Sequence, residues 1–188
     1  MKLGIIAGGV SALASIPYFI SIFRGKTKPN RATWWIWSWL GVLLFFSYKA
    51  SGANDTLWVA LVYMITPLLT AILSIKYGVG GWSKFDLICL ASSIIGSLLW
   101  YVSGSPVIAL LLFLLIDLCG TLPTIRKTYY HPEQENRLGW SIMVTANFIN
   151  IFAGEMKFSI VVYPIYMVII GGAILAFSLR KSPLHKYS

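Results

Sequence analysis

Seven apolar runs occupy almost the whole chain, each about as long as the roughly 20-residue helix that crosses the hydrocarbon core of a bilayer. They extend over Leu3 to Phe23, Ala32 to Tyr48, Thr56 to Ile75, Phe85 to Val102, Val107 to Ile125, Leu138 to Ala153 and Phe158 to Leu179. Of the 188 residues 57% are hydrophobic and only 11% charged, against about a quarter charged in soluble domains. The pattern predicts an all-α polytopic membrane protein of seven transmembrane helices. The first run carries small residues around Ala12 to Ser15, as a secretory leader does. It is too long for a leader's apolar core, has only Lys2 before it and is followed by basic residues, so it is expected to stay in the protein. Cys89 and Cys119 fall inside runs, where cysteine packs as a small apolar residue rather than forming disulfides.

The formal net charge of +9 is explained by where the charge lies. The first, third and fifth connections and the tail hold Arg24, Lys26, Lys28, Arg31, Lys76, Lys84, Arg126, Lys127, Arg137, Arg180, Lys181 and Lys186, twelve of the fifteen Lys and Arg. The other side receives Lys2, Lys49 and Lys157. Basic connections stay in the cytoplasm, so the N-terminus is expected outside and the C-terminus inside. The excess is then topological, with attraction to anionic headgroups, and nucleic acid is not an expected partner.

A motif is written twice: "NRATW" from Asn30 and "NRLGW" from Asn136. Asn30 and Asn136, Arg31 and Arg137, and Trp34 and Trp140 are all 106 apart, and the same offset superposes Pro17 on Pro123. Composition bias supplies Leu, Ile and Gly, not these residues, so the match reads as a duplication. Each copy holds three spans: residues 1–75 form the first three-helix repeat, 76–104 a linker helix, and 105–188 the second repeat with a short cytoplasmic tail. The linker restores the orientation that an odd number of spans would invert. The two copies are then parallel and related by an axis along the membrane normal, a transporter symmetry that places the substrate site at the repeat interface near mid-membrane.

This three-plus-one-plus-three plan, with a proline near the inner end of spans one and five and a basic connection after each, resembles the SWEET and PQ-loop superfamily. The stretch "IDLCGTLPTIRKTYYHPEQE" is similar to a group of bacterial PQ-loop-like membrane proteins. The resemblance implies transport by alternating access, with Pro17 and Pro123 as hinges, and a bacterial inner (plasma) membrane as the location. Here Tyr18 and Thr124 follow the prolines where the PQ-loop pattern has glutamine. Sugar SWEETs place an Asn and a Trp in spans three and seven; these spans offer no Asn and only Trp58, which counts against sugar as the solute.

Asp117 is the sharpest chemical feature. At 1.5 Å per residue it lies roughly 15 Å from either end of its span, where carboxylates face a bundle interior as pathway or proton-relay groups. It is expected to serve as a substrate ligand or a proton carrier; the alternative is a structural carboxyl bonded to Asn147, Asn150 or a serine on a facing helix. Ser11 occupies the equivalent place in the first copy. Asn147 and Asn150 are one helical turn apart, and their amides need partners in hydrocarbon, either solute or a packed neighbour. Among Trp34, Trp35, Trp37 and Trp39, the first two fit the interfacial belt and Trp37 is the candidate to reach the interior. Tyr63, Thr66, Tyr163 and Tyr166 offer hydroxyls. Arg31 and Arg137 stand at the cytoplasmic gate or bind lipid phosphate, and Glu133 and Glu135 are near enough to pair with Arg137 on an exposed surface.

No nucleophile elbow, metal-ligand set or nucleotide-binding glycine pattern is present, and His131 and His185 are isolated. No enzyme activity, cofactor or metal is therefore expected. The expected partners are a small polar or amphipathic solute and membrane lipid, with assembly into homo-oligomers open. A receptor or lipid-interacting membrane protein on the same scaffold is the alternative to a transporter.

Overall fold

The computed structural model describes residues 2–50, 57–102, 106–152 and 158–181. Among them the chain is all helical, with no β-strand: α1 (Lys2–Phe23), α2 (Arg31–Ala50), α3 (Leu57–Tyr77), α4 (Lys84–Val102), α5 (Pro106–Tyr130), α6 (Arg137–Ile151) and α7 (Phe158–Ser178), with a single 3-10 turn, Pro132–Gln134, before α6. Among the described residues two stretches, Lys84–Val102 and Val161–Ser178, are long and apolar enough to cross a membrane. Proline lies inside α1, α3, α5 and α7, as Pro17, Pro67, Pro123 and Pro164. It leaves one backbone carbonyl per helix without its intrahelical donor.

These helices carry many hydroxyls on buried faces, and the helix backbone satisfies them. Thr70, Ser93, Thr121 and Thr128 each donate to the carbonyl four residues earlier, at 2.7–2.9 Å. A hydroxyl bound in this way can face an apolar neighbour without an orphaned donor.

The chain packs as two compact units. One comprises Met1–Lys28 with Thr124–Ser188, and the other Pro29–Pro123. In the first, α6 lies between α1 and α7. Gly139 makes this possible: a Cβ there would come 3.3 Å from the Ala14 carbonyl oxygen and 3.4 Å from the Tyr18 ring. In the second, α2 packs along α3 and α4. Gly41 of α2 presses on the Tyr63 backbone, and Gly120 of α5 lies where a Cβ would meet Ile36 at 2.7 Å. Ile116 fits against Gly96 of α4. α5 belongs to both units, and its passage from one to the other falls at Pro123.

Candidate functional site

Both copies of Asn-Arg-x-x-Trp fold into the same local device. The Asn30 side-chain oxygen accepts from the Thr33 amide at 3.2 Å, and that of Asn136 from the Gly139 amide at 2.6 Å. Each caps the exposed amides of the helix that it starts. The arginines turn back to the end of a neighbouring helix. Arg31 donates to the Ile75 carbonyl in the last turn of α3 and to the Gly80 carbonyl just beyond it, and Arg137 to the Ser178 carbonyl at the close of α7. A cation is favoured there because the last carbonyls of a helix carry partial negative charge. Trp34 and Trp140 are buried.

Asp117 is 3% exposed on α5 within the unit Pro29–Pro123. The Thr121 hydroxyl lies 2.8 Å from its backbone oxygen and 3.3 Å from its Oδ2. One turn further, a Cβ on Gly120 would meet Ile36 and come 3.4 Å from the Trp37 indole. Trp37 is buried and meets Trp34 edge to face at 5.0 Å, whereas Trp35 and Trp39 are exposed. Helical period separates the four, since residues three apart share a face that residues two apart do not. Trp34 therefore turns inward with Trp37 rather than lying with Trp35. Tyr63 is half-buried on α3, its carbonyl against Gly41. Asp117, Trp37 and Tyr63 thus stand on three helices of one unit.

The remaining candidates belong to the other unit. Asn147 is 1% exposed; its Nδ2 donates to the Met143 carbonyl at 3.0 Å, while its Oδ1 has no partner among the described residues. Asn150 is half-buried one turn on. Tyr166 stacks on Tyr163 at 6.3 Å between centroids. Pro17 offers its carbonyl to the Asn136 amide nitrogen at 3.1 Å, which ties α1 to the start of α6. The side chain of Ser11, like Lys49, Lys157, His185 and Lys186, lies outside the described residues.

Glu135 departs from its expected place. Its carboxylate does not pair with Arg137 at the surface but is buried in an ion pair with Lys127. Its Oε2 accepts from the Trp140 indole at 2.8 Å and lies 3.4 Å from the Tyr18 hydroxyl. Lys127 also donates to the Lys28 carbonyl at 2.7 Å. Glu133 lies 3.4 Å from His131. Asp86 is the other buried carboxylate that sequence reading passed over. It accepts from the Gly81 amide at 2.8 Å, the Ser83 amide at 3.2 Å and the Ser83 hydroxyl at 2.8 Å, while Ser83 accepts from the Asp86 amide. This reciprocal cap is legible as Ser-x-x-Asp ahead of an apolar run.

An open crevice of about 600 Å³ lies beside Arg31, walled by Trp35, Ile75, Trp82 and Leu90. Among the described residues no cluster of His, Cys, Asp and Glu is placed to hold a metal. No family model, curated protein or solved structure matches the chain.

Proposed function

We propose that the chain is a seven-helix membrane transporter with the architecture of the SWEET and PQ-loop superfamily, moving a small polar or amphipathic solute by alternating access. The observation that carries this reading is Asp117, a carboxylate enclosed midway along a long apolar helix with a threonine hydroxyl beside it. Burying such a group costs several kcal/mol, on the order of 2.5–3.5 on insertion scales, a cost out of proportion to packing alone. A carboxylate in that position binds a solute's hydroxyl, amine or amide group, or takes up and releases a proton in each cycle. The folded likeness of the two Asn-Arg-x-x-Trp devices supports a duplicated, two-body plan, and Pro17 and Pro123 are the proposed hinges. The receptor alternative calls for several basic side chains facing one cavity, and the crevice beside Arg31 is lined by a single one. Among the described residues the buried cation is Lys127, and Glu135 already neutralises it, which favours the solute reading.

The test is uptake by purified protein in proteoliposomes carrying an imposed pH gradient. Wild-type uptake of the transported solute is expected to depend on the gradient, and Asp117→Asn, which keeps the shape and removes the titrating proton, is expected to abolish that dependence while the protein stays monodisperse. Unchanged gradient dependence in Asp117→Asn removes the proton-carrier role.

A further inference from the structure

We propose that the crevice beside Arg31 is a binding site for an anionic phospholipid of the cytoplasmic leaflet, with the phosphate on the guanidinium and an acyl chain along the apolar wall. The inference rests on the membrane reading but not on transport.

Arg31 stands at the rim of the crevice, held by carbonyls at 3.2 and 3.4 Å. A guanidinium has five N–H donors, so these two bonds fix its plane and leave donors over for an anion. Its stem lies against Gly81, where a Cβ would come 2.7 Å from the Arg31 Cβ and where φ is +92°; glycine is what lets the α3–α4 turn close on the arginine. Beyond the guanidinium the walls are apolar: Ile75, Trp35, Trp82 and Leu90. Trp82 is 77% exposed and Trp35 43%, an uncovered pair of indoles of the kind that settles at headgroup level. Leu90 lies on α4, which is long and apolar enough to cross a bilayer, roughly 9 Å beyond Lys84 at 1.5 Å per residue. The crevice thus presents a fixed cation at its rim and hydrocarbon-compatible walls beside it, which complements an amphiphile with an anionic head. A free phosphate would use the cation and leave the indoles bare. Inner connections rich in Lys and Arg add long-range attraction for the same lipids.

The second copy provides an internal control. Arg137 sits in the same local device, but the residue matching Trp35 is Ser141, whose hydroxyl bonds back to the Arg137 carbonyl. That copy has the cation without the indole wall.

Native mass spectrometry of the detergent-purified full chain, titrated with dioleoylphosphatidylglycerol and separately with dioleoylphosphatidylcholine, tests the site. Wild type is expected to retain the anionic lipid preferentially. Arg31→Gln is expected to weaken it about fivefold, the worth of one basic side chain at a membrane surface. Trp82→Ala, at an exposed position that folding does not need, is expected to weaken it too, and Arg137→Gln to leave it unchanged. Equal phosphatidylglycerol affinity in wild type, Arg31→Gln and Trp82→Ala overturns the site, as does an equal loss in Arg137→Gln. Displacement of the lipid by millimolar inorganic phosphate overturns the lipid as occupant. Vesicle flotation separates this from the underlying reading: protein that stays in solution without detergent removes the membrane itself, whereas Trp82→Ala that floats normally but binds lipid as wild type removes only the crevice.

Discussion

Glu135 and Lys127 form an ion pair in which neither side chain is more than 5% exposed, and this makes both sensitive to substitution. Removing one partner of such a pair strands the other as an uncompensated buried charge, at a cost of about 3–5 kcal/mol, whereas removing both charges together costs much less. Lys127→Met is therefore expected to lower the thermal unfolding midpoint sharply. Lys127→Met with Glu135→Gln, which keeps an acceptor for the Trp140 indole, is expected to recover most of the loss. Equal midpoints for the single and double variants, followed by tryptophan fluorescence in detergent, would show that stranded charge is not the cause. The pair was not legible in the sequence because its burial is made by distant residues. Tyr18 is 117 positions from Glu135, and Lys28 is 99 from Lys127. Local sequence shows only an acidic residue two places from an arginine, which reads as solvated surface. Asp117 was legible for the opposite reason, since a lone carboxylate amid apolar residues has no local environment that could leave it in water.

Helices were the most legible level, and their ends the least. Each of the seven apolar runs overlaps one helix, but α5 continues to Tyr130, beyond the predicted end at Ile125, and carries Lys127 to Glu135. Hydropathy marks where an apolar environment ends, and a helix stops only when backbone bonding does. Close approach between helices is likewise invisible to hydropathy, because it depends on which glycine faces which neighbour. Gly41→Ala would drive a methyl group into the Tyr63 and Met64 backbone of α3, and backbone cannot swing aside as a side chain can. Such overpacking typically costs about 1–3 kcal/mol. Gly172 has nothing within 4 Å of a built Cβ, so Gly172→Ala is expected to be neutral or to stabilise by about 0.5–1 kcal/mol through helix propensity. Chemical unfolding of both variants in one detergent checks the contrast. Similar losses at both positions would mean that the close contact at Gly41 is not what sets the cost.

At the level of the whole chain, the repeat expected from the sequence and the packing in space divide the molecule differently. The repeat places α1 with α2 and α3, and α5 with α6 and α7. The compact units instead join α1 to α6 and α7, and most of α5 to α2, α3 and α4. The two arrangements correspond: Ala14 of α1 meets Gly139 of α6, and Gly120, which is 106 residues after Ala14, meets Ile36 of α2. If the two motif copies mark a repeat, each unit takes its first helix from one copy and its second and third from the other; the chain passes between units next to Pro29 and Pro123. Nothing in a single sequence reveals the exchange, because a shared motif can be satisfied by the helix of either copy. A break between α4 and α5 discriminates the two divisions. If each repeat folded on itself, fragments 1–102 and 106–188 would each resist protease alone. With the helices exchanged, each fragment holds an incomplete part of both units, so each is expected to be degraded when expressed singly. Co-expression is expected to restore a complex that co-purifies and resists trypsin as the intact chain does, since the contacts that bury α1 against α6 and α5 against α2 can then form between fragments.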